Sequence, residues 1–451
     1  MPTRADHATR PLDASLRWLE RAKIVIPGVS QTLSKAPRMF TQGVYPIYLE
    51  RGEGARVWDV DGNSYLDYPL ALGPVSLGYA YPNTIRAVSE QLAKGSVFSL
   101  MHPLEVEVAE LLCDVIPCAE MVRFAKNGAD ATTGAVRLAR AVTGREHIAC
   151  CGYHGFHDWY LAGTEQATGC PAVLRDYVHP FRYNELASLE TIFSQHPDGI
   201  AAVILEPVAG ELPEPGFLEG VEAITHRHGA VLIFDEIVTG FRLALGGAQE
   251  YYQVVPDLAA VGKGMANGLP ISAVVGRRAL MREFERVFFS TTYGGDCLAL
   301  AAAKATIREM RESKVQAHYW TLGTRLQDGT KALIRRHRLD SRVVVTGLAP
   351  KSWIECVDQD GQQDAVLKGL FFQECIKRGI LIGGLQYISF SHTQDDIDAT
   401  LGVFDAAFAM CRHALESGAP ERFLEGEPPG DVFRRSVARV AAQPPQDDGR
   451  R

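Results

Sequence analysis

Residues 230–263 read AVLIFDEIVTGFRLALGGAQEYYQVVPDLAAVGK. Ala230 to Phe234 form an unbroken apolar run that stops at Asp235-Glu236, and Leu258 to Val261 form a second that stops at Gly262-Lys263-Gly264. Short apolar runs without polar alternation suit strands buried on both faces. Each would deliver one charged residue at its C-terminal end, which is where an open α/β sheet presents its site.

Working outward, strands are expected at 121–125, 147–151, 200–205, 230–235, 258–261 and 272–276. Helices of ten or more residues fit between many of them, among them 130–142 and 217–228. Such alternation predicts a mostly parallel sheet with helices on both faces. Upstream, Asp13 to Ala22 suits a short amphipathic helix, 30–50 a loop, and 52–68 a hairpin turning at Asp61-Gly62. Helices are expected near 83–94 and 104–114. A long helix over 297–337, broken near Gly323, leads into strand-like runs at 343–345, 352–357 and 380–390 and helices at 363–377 and 394–413. The tail past about 440 has the proline and charge of a disordered segment.

The 451 residues carry 46 Lys+Arg against 54 Asp+Glu, a net charge of -8. That balance speaks against a nucleic-acid partner, which calls for a basic face. No apolar run approaches the ~20 residues of a membrane span. The start, MPTRADHATRPLD, has no apolar signal core. Nine cysteines lie at irregular spacing without a CxxC pair, so neither a zinc framework nor a redox motif is read from them. A reduced, cytoplasmic setting is the simple reading.

Five stretches carry candidate chemistry. Lys126-Asn127-Gly128-Ala129-Asp130 joins a strand to a helix. A glycine there lets backbone N–H groups approach an anion, phosphate by preference; Asp130 capping an ordinary helix is the alternative. Tyr153, within Cys151-Gly152-Tyr153-His154-Gly155-Phe156-His157, could stack on a planar ring or fill the core. His154 and His157 have no metal-ligand set around them in sequence. Glu206 suits a structural hydrogen-bond partner, and Glu211 a residue near a ring or a substrate amine. Asp235 can pair a pyridine N–H and keep the ring protonated. Ile237 points to the same side by strand alternation and could cover the ring face opposite Tyr153. Lys263, 28 residues further on (263 − 235), offers an amine for an imine; a lone G-K-G is otherwise a surface turn. Ser290-Thr291-Thr292-Tyr293-Gly294-Gly295 sets hydroxyls beside glycines, suited to phosphate or to a plain loop. Cys297 beside it reads as a packing residue before a reactive thiol. A ring-pairing carboxylate with an imine-forming amine is the equipment of pyridoxal phosphate (PLP) chemistry.

In order, RVWDVDGNSYLDY, MVRFAKNGADAT, GYHG, VILEPVAGE, IFDEIVTGFRLALGGAQEYY, PDLAAVGKGMANGLP and TTYGGDCLALAA resemble the class III PLP-dependent aminotransferases. Within them the likeness is to the glutamate-1-semialdehyde aminomutase-like group, from about Leu16 to Ala414. It implies an α/β fold of type I. A large domain (76–305) would hold a seven-stranded, mostly parallel sheet. A smaller α+β domain (306–420) would be joined by the N-terminal segment (1–75), and 421–451 would form a tail. Lys263 would be the Schiff-base lysine and Asp235 the partner of the pyridine nitrogen. Tyr153 and Ile237 would cover the ring, and Asn127, Gly128 and Ala129 would hold the phosphate. Thr292 would reach the phosphate of the neighbouring subunit in a homodimer with shared sites.

The chain departs from the mutases where substrate is read. Leu72 replaces a tryptophan, Glu211 an asparagine, and Asn127 and Ala129 a serine and a threonine. The mutases clamp a carboxylate with an arginine in the N-terminal loop, which here reads SQTLSKAPR over 30–38. Residues 382–392 lack the arginine by which many relatives hold an α-carboxylate. The expected activity is amino transfer to an aldehyde or ketone in sugar, aminoglycoside or other secondary-metabolite biosynthesis. A glutamate-1-semialdehyde-type aminomutase and a PLP-dependent epimerase of an amino-sugar carbon are the alternatives.

Overall fold

The computed structural model describes residues 10–430. The chain forms two compact units, one spanning Pro82–Gln316 and the other joining residues up to Tyr81 to those from Ala317 onward.

Pro82–Gln316 is built on seven strands: β1 Met121–Ala125, β2 His147–Cys151, β3 Val178–Pro180, β4 Ile200–Leu205, β5 Val231–Glu236, β6 Leu258–Val261 and β7 Ser272–Gly276. They lie in the order β1-β7-β6-β5-β4-β2-β3. Neighbours from β3 to β6 pair in parallel, and β7 runs antiparallel to both β6 and β1. Every residue of β4 and β5 is buried, which is why both read as continuous apolar runs. The helix Gly128–Thr143 lays Ala131, Ala135, Leu138 and Ala139 into one buried cluster with Ile204, Ile233, Ala260 and Val274. Because β2, β4, β5 and β6 are parallel, the segments after them all leave the same edge of the sheet. β3 is the strand the apolar pattern does not announce. It is three residues long, and its proline is tolerated because it lies at the sheet edge.

In the other unit, Arg56–Asp59 and Ser64–Asp67 form the expected hairpin, with Gly62 at φ 87° in the turn. Ile380–Leu381 adds to it in parallel. Val343–Leu348, Lys351–Cys356 and Leu385–Tyr387 make a second, antiparallel sheet, so the run at 380–390 is two short strands rather than one. The helix expected over 297–337 is also two, Cys297–Glu312 and Val315–Arg336. They part at Ser313-Lys314, with Lys314 at φ 51°, and not at Gly323. Gly323 sits inside the second helix because a Cβ there would come within 2.0 Å of the Ala349 carbonyl. Close approach, not helix breaking, is its use. The stretch past 440 lies outside the described residues. Among the described residues, no helix is long and apolar enough to cross a membrane.

Candidate active site

Asp235 and Glu236 end β5 and point to opposite faces, as strand alternation requires. Glu236 is spent on structure. It accepts hydrogen bonds from Thr239 Oγ1 at 2.6 Å and from the Ala248 and Gln249 N–H groups at 2.7 and 2.9 Å, fastening the start of the helix Ala248–Tyr252. Burial holds its carboxyl above the usual carboxylate range, and those bonds offset part of that rise. Glu236→Ala would strand several buried donors. The expected cost is about 3 kcal/mol, read as a lowered unfolding midpoint with the fold otherwise kept.

Asp235 is buried and turned the other way. Its Oδ2 lies 2.9 Å from His154 Nδ1, and its Oδ1 accepts the Ile237 N–H at 3.2 Å. Burial pushes the Asp235 carboxyl up, while the bond and charge of His154 oppose it. His154 is itself buried, and its Nε2 has no hydrogen-bond partner among the described residues. Its Nδ1 faces the Asp235 carboxyl. The loop is pinned by Thr132 Oγ1, which donates to the His154 carbonyl at 2.7 Å. His157 goes elsewhere, to Thr133 Oγ1 at 2.7 Å and toward Asp130 at 3.7 Å, so the two histidines do not converge on one point.

The turn at 126–129 opens the helix Gly128–Thr143. Asp130 Oδ2 accepts the Asn127 N–H at 2.7 Å, as a cap would. The Gly128 and Ala129 N–H groups, first in their helix, have no acceptor within it. A Cβ on Gly128 would stand 3.1–3.3 Å from the Ile237 side chain. A Cβ on Gly155, at φ 107°, would strike Ala129 at 2.5 Å. The two loops thus meet without room for another methyl group. Lys126 Nζ reaches Asp296 Oδ2 at 2.7 Å and the Pro270 carbonyl at 2.8 Å, tying the turn to the loop that holds Thr292.

Tyr153 is half-buried. Its N–H donates to Glu206 Oε1 at 2.8 Å, the structural part read for Glu206, and its ring meets Tyr160 edge-on at 5.9 Å. Lys263 follows β6 at φ 41°, in the left-handed region that costs a residue with a Cβ about 1–2 kcal/mol. Strain held at one residue marks a position the surroundings over-determine. A Cβ on the preceding Gly262 would come within 3.1 Å of Ile237 Cδ1. Ile237 thus touches both Gly128 and Gly262.

The structure gathers Asn127, Gly128, Ala129, Tyr153, Asp235, Ile237 and Lys263 at one edge of the sheet. Glu211 and Thr292 stand exposed on loops beside it. Glu211 is near enough to Cys151 and Tyr183 to help push both groups up. Cys297 is fully buried, burial pushes its thiol up, and its N–H donates to the Ser96 carbonyl at 2.8 Å. It is a packing residue. Two residues of this site carried no role in the sequence reading. In the sequence His154 reads as a metal-ligand candidate and Lys126 as part of a glycine turn. Their partners come from β5 and from the 270–296 segment, and only the strand order brings those near.

Residues 39–404 match the family model of the class-III aminotransferases. The chain belongs to that family. This class-III aminotransferase is 37% identical over 426 residues to a glutamate-1-semialdehyde 2,1-aminomutase of Methanothrix thermoacetophila, covering 88% of this chain and 96% of that protein. A protein of the same name from Syntrophomonas wolfei is 36% identical over 429 residues, covering 88% and 97%. Among solved structures, the PLP-bearing FumI protein of Sphingopyxis sp. MTA144 superposes with TM-score 0.84 at 31% identity, covering 92% of this chain and 100% of that one. An omega-transaminase of Sphaerobacter thermophilus gives 0.81 at 29% identity, covering 88% and 98%. The fold is that of the type I PLP transferases, and the cofactor of this aminotransferase is PLP. Its residues suit that group. A buried carboxylate can take a ring N–H, backbone N–H groups without intrahelical acceptors can take phosphate oxygens, and Lys263 brings an amine to the same edge of the sheet.

Proposed function

We propose that this class-III aminotransferase moves an amino group to the aldehyde or ketone of a cationic or polyhydroxylated acceptor, of the sugar, aminoglycoside or secondary-metabolite kind. We further propose that it works as a homodimer with shared sites. The observation that carries the substrate reading is Glu211. It is an exposed carboxylate on the loop after β4, where the mutases it resembles have a neutral asparagine.

Lys263 would hold the cofactor through its amine, Asp235 its ring nitrogen, and Asn127, Gly128 and Ala129 its phosphate. Tyr153 and Ile237 would cover the ring faces, and Thr292 would serve the neighbouring subunit's phosphate. Bound there, PLP supplies an aldehyde for the donor amine and a protonated ring that spreads the charge left by a departing α-proton. The Lys263 amine takes that proton from the donor's α-carbon. In the second half of the reaction it delivers one to the former carbonyl carbon of the acceptor. Asp235 stays ionised and keeps a proton on the ring nitrogen throughout. Glu211 offers its charge to an acceptor ammonium or hydroxyl.

The names of relatives at 36–37% identity favour a second reading, transfer within one molecule as in an aminomutase. A panel of acceptors separates the two. Oxo-sugars bearing amino groups should be aminated, and Glu211→Gln should lower kcat/KM for them about fivefold, the scale of a solvent-exposed charge pair, while sparing neutral aldehydes. Strong turnover of glutamate-1-semialdehyde with no oxo-sugar activity would establish the aminomutase instead. Inversion of configuration at an amino-bearing carbon, with solvent deuterium incorporated and no net transfer, would indicate an epimerase.

A further inference from the structure

At the end of β2 opposite Tyr153, three histidines meet. His147 opens β2, His179 is the middle residue of the edge strand β3, and His196 caps the helix Leu186–Gln195. One ring nitrogen from each lies within 4.8 Å of the other two. His147 Nδ1 stands 2.9 Å from His179 Nε2 and 3.1 Å from the Asp176 carbonyl oxygen. The rings are half-buried and lie against one another, with centroids 4.5 Å apart for His147 and His196 and 4.1 Å for His179 and His196. Imidazoles this close resist charging. Burial, with His196 and His147 as neighbours, pushes His179 down to about 4. Burial and His147 push His196 down as well. Neutral imidazole is the form that takes a metal ion. The backbone beneath is fixed, because parallel pairing sets Ala149 against His179.

We propose that His147, His179 and His196 bind one divalent transition ion of the zinc, nickel and copper class. Three imidazoles select that class over magnesium or calcium, which take oxygen ligands. An ion about 2.0–2.1 Å from each nitrogen places tetrahedral ligands about 3.4 Å apart. Binding therefore widens the 2.9 Å gap between His147 Nδ1 and His179 Nε2 slightly and brings the His196 nitrogen in, by turning half-exposed rings out of their stack with no strand moving. The proton between His147 Nδ1 and His179 Nε2 moves, by way of solvent, to the far nitrogen of its own ring, so each imidazole stays neutral, and the Asp176 carbonyl or a water fills the remaining position. The ion would fasten β3 and the following helix to β2, away from Lys263, and take no part in amino transfer.

The test uses untagged holoenzyme stripped with a chelator and titrated with Zn²⁺ and Co²⁺. One ion per chain is expected, with the visible absorption of tetrahedral Co²⁺ and a zinc-dependent rise in the unfolding midpoint. His179→Gln/His196→Gln should weaken binding at least about 100-fold and abolish that rise, with aminotransferase activity unchanged. His196→Gln alone, the milder change, should weaken binding in a protein of wild-type melting behaviour without metal. Absence of binding up to millimolar zinc would overturn the proposal, as would unchanged binding in the double variant, which retains Cys113 and Cys170. Either result would leave the three rings as a stacked plug of the sheet edge.

Discussion

Lys263→Ala is expected to lower kcat for amino transfer by about 10⁴-fold or more, the combined loss of a covalent anchor and a general base. No neighbouring amine takes over. Lys126 Nζ, on the turn before Gly128, is already held by Asp296 and the Pro270 carbonyl. The variant should still fold, because alanine adopts the left-handed φ of 41° at the same cost as lysine, and the lysine side chain is half-exposed. Borohydride should bleach the wild-type protein and fix its cofactor to Lys263, whereas the variant should release PLP on dialysis. Lys263→Gly extends the test to the backbone. Glycine relieves a strain of about 1–2 kcal/mol and gives back part of that through its freer unfolded chain. The cofactor-free glycine variant should therefore be more stable than the alanine one by roughly 0.5–1 kcal/mol. A glycine variant no more stable than alanine would show that position 263 stores no strain. A Lys263→Ala enzyme within tenfold of wild type would remove the lysine from the mechanism.

The reach of the sequence reading follows from where each residue's information lies. β4 and β5 were legible because central parallel strands bury both faces, and burial writes itself as Ile200–Leu205 and Val231–Phe234 without a polar break. Asp235 and Lys263 were legible because a charge directly after such a run has to emerge at the sheet edge. β3 carries three residues and a proline, too little for a period. The hydrogen bond from His154 to Asp235 links the end of β2 to the end of β5 across the intervening β4, so it depends on a strand order that spacing does not encode. Gly323 looked like a helix break because composition reports the missing side chain and not the Ala349 carbonyl that requires it. Glu211 and Thr292 lie on exposed loops, and the parts proposed for them depend on molecules outside this chain.

Asp235→Asn keeps the size of the side chain and removes its charge. It should lower kcat about 10²–10³-fold, the usual loss when a preorganised electrostatic group is deleted from a buried site. His154→Gln should act more gently and in a different way. Burial drives the Asp235 carboxyl up, and the His154 bond and charge hold it down. With the imidazole gone, burial acts with less opposition and the carboxyl retains its proton to higher pH. In its proposed role Asp235 must be ionised to hold the ring N–H, so the acid limb of kcat should move upward in pH, with the plateau above it largely retained. Asp235→Asn has no carboxyl to titrate, and its residual activity should show no such limb. If His154 served only to pack the loop, His154→Gln would lower activity by one factor at every pH and leave the limb in place. A full pH profile of the three enzymes distinguishes these outcomes. An unmoved limb would assign Asp235's ionisation to its own surroundings and reduce His154 to a filler of the buried space beside Tyr160, which its ring meets edge-on at 5.3 Å.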